Sequence, residues 1–377
     1  MNNNPQPKAS KLRRWFLASF TAIVALAVLG LGVVLNFAPA QDFVFRRGVA
    51  HLLDRSQKGL MEENALRAIV CGSGTPQPSP KAAKACIAVI AGGKIYVVDS
   101  GTRSSGNLVS WRLPIEKIGG VFLTHFHSDH IGDLGELNMQ SWTLGRAAPL
   151  DVYGPPGVDR VVAGFAQAYN LDQSYRSATH GVSLMALANG HMVSHTVAMP
   201  GEDTGAMDRS TTVLEEDGLK VTAIEVNHKP VQPAYAYRFD YKGRSLVISG
   251  DTSYHPPLAV AARNTDVLFH EAQSKPMIQE MQKIATETGQ IRLSTILGDI
   301  QRYHTTTLEA AELSNLAQAK LLAIYHADPP VLNVLLEKIF TRGIDGVRRG
   351  DWRIVQDGTL IELPADSAAI VVGSVAN

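Results

Sequence analysis

The chain has 377 residues, with 35 basic and 35 acidic side chains, so its formal net charge is zero. That balance argues against a protein that coats nucleic acid, because non-specific phosphate binding needs a surplus of Lys and Arg. Two cysteines are too few for a disulfide framework, and charged residues are only 19%, so an apolar segment is expected beside a globular α/β domain.

The apolar segment comes first. Residues 15–35 read WFLASFTAIVALAVLGLGVVL and carry no charge. At about 1.5 Å per residue such a helix reaches roughly 30 Å, the thickness of a bilayer's hydrocarbon core. Lys8, Lys11, Arg13 and Arg14 precede it, and the positive-inside rule leaves that end in the cytoplasm. The run exceeds a signal-peptide core, which favours an uncleaved anchor. Ala38-Pro39-Ala40 behind it is a small-x-small pattern, which keeps a cleaved signal open. Arg13-Arg14-Trp15-Phe16-Leu17 is similar to a twin-arginine export signal, with Leu12 where Ser or Thr is usual. The expected division is 1–37 for a cytoplasmic basic tip and transmembrane anchor or export signal, 38–62 for a linker, and 63–377 for one large domain. That domain is expected outside the cytoplasm, membrane-anchored or released to the periplasm if the signal is cleaved.

Short β-branched runs then alternate with helix-like segments. Strands are expected at 65–70, 85–91, 94–98, 121–124, 150–153, 219–226, 235–241, 245–249, 267–269 and 321–325. Helices are expected at 133–144, 158–169, 308–319 and 331–340. Clustered strands with interspersed helices predict two sheets covered by helices. The polar stretches 177–210 and 275–302 are expected as loops at a pocket entrance. Cys71 and Cys86 lie on neighbouring apolar runs. Export to an oxidising compartment would let them pair; otherwise they are two buried thiols.

Thr124-His125-Phe126-His127-Ser128-Asp129-His130 holds four ligand-type side chains in six residues, directly after an apolar strand. Imidazole and carboxylate are the ligands of catalytic metal sites. Such a turn can aim His125 and His127 at one ion, and Asp129 and His130 at a second.

His-Phe-His-Ser-Asp-His resembles the signature of the metallo-β-lactamase superfamily. The resemblance implies an α/β fold, the αββα four-layer sandwich, here with an N-terminal transmembrane helix. It implies further residues in order. Asp99 of Asp-Ser-Gly would support the metal loop without binding metal. His228 would complete the first site, Asp251 would bridge the two ions, and His326 would complete the second. The implied metal set is therefore His125, His127, Asp129, His130, His228, Asp251 and His326, holding two zinc ions, with manganese or iron as alternatives.

The chain is further similar to the ribonuclease Z and arylsulfatase-like branch. Gly72-Ser73-Gly74-Thr75-Pro76, His270-Glu271-Ala272 with Gln273 in place of Thr, and Tyr303-His304-Thr305-Thr306 carry that likeness. The implied chemistry is hydrolysis of phosphodiester or sulfate esters by metal-bound hydroxide. Asp129 would also orient the nucleophile, His270 would protonate the leaving oxygen with Glu271 orienting it, and His304 would stand on the substrate side. Two features separate the chain from the branch's tRNA-processing enzymes. Only 22 residues separate His228 from Asp251, leaving no room for a tRNA-gripping arm, and His326 is followed by Ala-Asp-Pro-Pro instead of a Ser-x-Arg-Tyr sequence. Expected partners are a small-molecule ester and the membrane, with nucleic acid not expected; a homodimer is compatible with the sequence. The alternatives are a ribonuclease Z-type endonuclease, a lactonase, a non-catalytic membrane-tethered metal-binding protein, and an iron redox protein. The redox reading is weakened because His125 and His127 leave no carboxylate in the first triad.

Overall fold

A computed structural model describes residues 9–53, 57, 59–201, 205 and 207–376. The chain divides into two compact units, Met1–Ser56 and Gln57–Asn377. Among its described residues the first unit holds two helices, Ala9–Asn36 and Ala38–Leu53. Arg13–Asn36 is long and apolar enough to cross a membrane. Its side chains point outward, with Trp15 and Phe16 about three-quarters exposed at 75% and 76%. Lys8 lies outside the described residues. The helix Ala38–Leu53 lies within the segment 38–62 expected to connect the apolar helix to the large domain. Pro39 sits in its first turn, where no backbone N–H is needed, so it starts the helix without breaking it. Part of that linker, at 54–56 and 58, also lies outside the described residues.

Among the described residues the second unit has fifteen strands. They are β1 Ala65–Gly72, β2 Cys86–Ala91, β3 Lys94–Val98, β4 Ile118–Phe122, β5 Leu150–Gly154, β6 Met192–Thr196, β7 Ser210–Glu216 and β8 Leu219–His228. Then come β9 Val231–Tyr241, β10 Arg244–Ile248, β11 Val267–Gln273, β12 Leu321–Asp328, β13 Asp351–Ile354, β14 Thr359–Pro364 and β15 Val371–Ser374. One sheet has the order β15-β14-β1-β2-β3-β4-β5-β6, the other β13-β12-β11-β10-β9-β8-β7.

Strand alternation sorts the side chains into layers. On β1, Leu66, Ala68 and Val70 join Val221, Tyr237 and Phe239 of the other sheet in a core between the sheets. On the same strand Ile69 and Cys71 face outward, with Leu108, Leu134, Leu137 and Val158 of covering helices. Leu268 and Ala272 of β11 face the other way, onto Leu258, Ala311 and Leu313. Three cores between four layers make the αββα sandwich. Phe122 is central to it. Its ring stacks on Tyr153 at 4.9 Å and meets Tyr237 and Phe239 edge-on at 5.4 and 5.7 Å. Three residues later the chain reaches His125, so this packing seats the metal loop.

Several expectations are corrected. The stretch 177–210 contains the end of the helix Val158–His180 and the edge strand β6, although 202–204 and 206 lie outside the described residues. The stretch 275–302 is a helical hairpin, Lys275–Glu287 and Ile291–Asp299, packed around Ile278, Ala285 and Leu297. Of the two readings left open for Cys71 and Cys86, the structure has the disulfide, between β1 and β2.

Candidate metal centre

The predicted ligands converge at the strand ends of both sheets. His125, His127, Asp129 and His130 follow β4, His228 ends β8, Asp251 follows β10, and His326 lies near the end of β12. Ligand atoms of His125, His127, His228 and Asp251 lie within 4.8 Å of one another, and so do those of Asp129, His130 and His326. His127 is the exposed member; the others are buried.

Asp251 lies between the two groups with one oxygen toward each. Its Oδ2 is 3.9 Å from Nε2 of both His125 and His228. Its Oδ1 is 3.4 Å from His130 Nε2 and 3.6 Å from His326 Nδ1. Asp251 Oδ1, His130 Nε2 and His326 Nδ1 are all buried without a hydrogen-bond partner. Buried polar atoms are normally paired. Three orphans converging on one point fit a cation, and the imidazole and carboxylate donors fit a transition metal.

The local backbone aims these groups. Gly250 has φ +59, and a Cβ there would lie 2.8 Å from Tyr235 O. Gly101 lets the Asp99 turn pass beneath the metal loop, since a Cβ would stand 2.1 Å from Asp129 O. His326 has φ +46 and sits at a bulge in the β11–β12 pairing, where Tyr325 faces Glu271 but Ala327 faces Ala272. Simple alternation would send His326 outward beside Ile324; the extra residue re-aims it into the site.

A second ring of contacts fixes the tautomers. His130 Nδ1 donates to Asp99 Oδ2 at 2.7 Å, leaving Nε2 for metal. Asp99 also accepts from Thr124 N and Oγ1 at 2.8 and 2.9 Å. His228 Nδ1 donates to the Tyr303 carbonyl at 3.1 Å, which turns its Nε2 toward His127 Nδ1, 3.4 Å away, and the first ligand group. Burial lowers the pKa of His127, brings His228 down to about 4, and lowers His125 well below the usual range, so these rings are neutral ligands at neutral pH. Burial opposes charge on Asp251, yet His326 and His130 outweigh it and hold its carboxyl well below normal. His130 is raised well above its usual value because Asp251, Asp99 and Asp129 outweigh its burial.

The remaining expected residues separate. His270 is fully buried, and its Nδ1 donates to the Glu271 carbonyl at 2.7 Å. It shares the face of Leu268 and Ala272, which point to the helical layer. It therefore does not stand where a leaving group would be protonated. Glu271 has the opposite parity, and its Oε1 accepts from His304 Nδ1 at 2.9 Å and from Thr252 N and Thr305 N at 3.2 Å. The ring that Glu271 orients is His304, whose centroid is 5.4 Å from that of His228 and 6.2 Å from that of His326. Burial opposes protonation of His304, but Glu271 outweighs it and raises the pKa to about 9. A cleft of about 470 Å³ opens beside His127 and His228, lined also by Lys229, Pro230, Asp299, Arg302 and Tyr303. Lys229 and Arg302 carry no sequence signature beyond standing next to His228 and near His304.

The profile of the Metallo-beta-lactamase superfamily matches residues 83–323, and the chain belongs to that superfamily. It is a metal-dependent hydrolase of this fold. A protein of Mycobacterium marinum named Ribonuclease Z is 31% identical over 264 residues, covering 69% of this chain and 86% of that one. A namesake from Mycobacterium bovis is 30% identical over 269 residues, covering 71% and 87%. Among solved structures, the fold is similar to the metallo-beta-lactamase fold protein YhfI from Bacillus subtilis, with TM-score 0.56, 20% identity and coverage of 79% and 99%. It is also similar to the short form of human tRNase Z, with TM-score 0.55, 21% identity and coverage of 79% and 99%.

Proposed function

We propose that the chain is a two-metal hydrolase of small anionic esters, phosphodiesters foremost and sulfate esters second. The observation that carries this reading is Asp251, with one buried carboxylate oxygen toward each ligand group. His125, His127, His228 and Asp251 would hold one ion, and Asp129, His130, His326 and Asp251 the other. Bound there, the metals supply Lewis acidity, a water of lowered pKa and neutralisation of charge developing on the ester. Asp99 and the Tyr303 carbonyl hold His130 and His228 in the tautomers that ligation needs. Lys229 draws an anionic ester into the cleft, where Arg302 is paired with Asp299 at 2.6 Å. Tyr303 lines the same cleft and offers a leaving group an aromatic face. His304, held through Nδ1 by Glu271, keeps a proton on Nε2 for the departing oxygen.

A nucleic-acid substrate is the second reading, favoured by the name of the mycobacterial relatives. Against it, β9 and β10 take up 16 of the 22 residues between His228 and Asp251 and the rest are two-residue connections, so no arm is inserted there. We further propose that Arg13–Asn36 anchors the protein with its catalytic unit outside the cytoplasm. The Cys71–Cys86 bond supports an oxidising compartment. The decisive test is a panel assay of the full chain in detergent with metal analysis. It would compare bis-p-nitrophenyl phosphate, p-nitrophenyl sulfate, a lactone and an RNA oligonucleotide, each with and without added zinc or manganese. Diester hydrolysis with about two ions per chain is expected. Preferential RNA or lactone cleavage, or metal below one ion per chain, would overturn the reading.

A further inference from the structure

Two positions where the chain departs from the ribonuclease Z-like pattern meet in space. Gln273 stands where that branch has Thr, and Asp328 lies in the Ala-Asp-Pro-Pro that follows His326. They are 55 residues apart, yet Gln273 Nε2 donates to Asp328 Oδ2 at 2.9 Å. Gln77 Nε2 donates to the other oxygen, Oδ1, at 2.6 Å. Gln273 is fully buried and Asp328 is 5% exposed. A carboxylate this deep, with each oxygen held by an amide, is costly to bury, so a purely space-filling role is a poor account of it.

The three side chains join three segments that border the second ligand group. Gln77 belongs to the loop 73–84, whose Thr75 and Gln77 carbonyls accept from Lys84 Nζ. Asp328 is two residues past His326, and its carbonyl accepts from Ser274 N at 2.8 Å. Gln273 N donates to Thr305 O at 2.7 Å, and Gln273 also bridges to Thr306. Thr305 directly follows His304. The chain of contacts therefore runs from the loop 73–84, through the end of β12, to the backbone beside His304.

We propose that Gln77, Asp328 and Gln273 form a positioning clasp that fixes the loop carrying His304 against the strand end carrying His326. The three are positioning residues: they act through His304 and His326 and need not touch the ester. The catalytic arm of this inference rests on the hydrolase reading above; the mechanical arm does not.

The test uses the full-length, metal-loaded protein and two measurements. The first is amide hydrogen exchange of the segment 300–306 in Asp328→Ala and Gln77→Ala. Opening of the clasp should speed exchange there about 10-fold in both variants, although neither replaced side chain is part of that segment. Gln77 is only half-buried, so Gln77→Ala keeps the test alive if Asp328→Ala folds poorly. The second is turnover of a phosphodiester. Asp328→Ala should lose about 10-fold in kcat with KM within about 2-fold and bound metal unchanged. Asp328→Asn, which keeps one acceptor, should recover part of the loss. The Gln77→Ala/Asp328→Ala double variant should be no worse than Asp328→Ala, because the two act as one unit. Unchanged exchange across 300–306 in both variants would overturn the clasp, as would additive losses in the double variant. A wild-type protein that cleaves no ester would sink the hydrolase reading, while the exchange measurement would still decide the clasp.

Discussion

Replacing Glu271 with Gln tests what sets the proton on His304. The substitution keeps the shape and leaves an amide oxygen able to accept from Thr252 N and Thr305 N, but it removes the charge facing His304 Nδ1. With Glu271 the imidazole titrates at about 9. Without it, burial pulls the pKa down and only the more distant Asp251 and Asp328 still raise it, so the free imidazole value of about 6.5 serves as the reference. At pH 8 the protonated fraction then falls from about 0.9 to about 0.03, a loss of roughly 30-fold. At pH 6 both forms are largely protonated and the loss shrinks to about 1.3-fold. The effect depends on the leaving group. An alkoxide needs the proton, whereas p-nitrophenolate departs with little help. The assay is kcat against pH for an alkyl and a p-nitrophenyl phosphodiester, with metal content checked because Thr252 adjoins Asp251. The alkaline limb for the alkyl ester should move down by about 2.5 pH units. NMR titration of the metal-free protein should show His304 shifting in parallel. The linkage has a stability side. A pKa raised on folding stabilises the native state below about pH 6.5, and that contribution is lost as pH rises through about 9. A uniform loss at every pH, or equal losses for the two esters, would refute the assignment of His304 as the proton donor.

Other expected outcomes are more direct. His127→Ala should abolish ester hydrolysis and lower bound metal, as read by elemental analysis; full turnover in a variant shown to be metal-free would sink the two-metal mechanism. Asp99→Asn should weaken metal binding by about 10- to 100-fold in chelator competition, because His130 loses the partner that fixes its tautomer. His270→Ala should lower stability by about 1–3 kcal/mol in denaturant titration, yet leave kcat per folded molecule within about 3-fold. A turnover loss of a hundredfold would return His270 to the catalytic list.

The metal ligands were legible in the sequence because each sits at a strand end or in the turn that follows one, and a sandwich of this kind gathers its strand ends. The His304–Glu271 partnership was not, and the reason is parity. Val267, Phe269 and Glu271 share one face of β11, while Leu268, His270 and Ala272 share the other. Counting along the strand would have separated His270 from Glu271; reading them as one motif joined them. His326 shows the converse, since its bulge breaks the alternation that would have misplaced it. The edge strands β6, β7, β13 and β15 are short and half-exposed, so their sequences carry little hydrophobic pattern. The hairpin at 275–302 does carry helical periodicity, with Ile278, Met281, Ala285 and Leu297 meeting at its core, and its overall polarity masked that pattern.

The distribution of ligands between the sheets has a mechanical consequence. The first group takes His125 and His127 from one sheet and His228 and Asp251 from the other; the second takes Asp129 and His130 from one and His326 from the other. Each ion would therefore be a rivet through the sandwich. Before the sheets dock, neither half offers a complete set of donors, so metal binds the assembled state in preference to its parts. Chelation should loosen the whole sandwich along with its chemistry, and the protein's resistance to unfolding should rise and fall with the supply of metal around it.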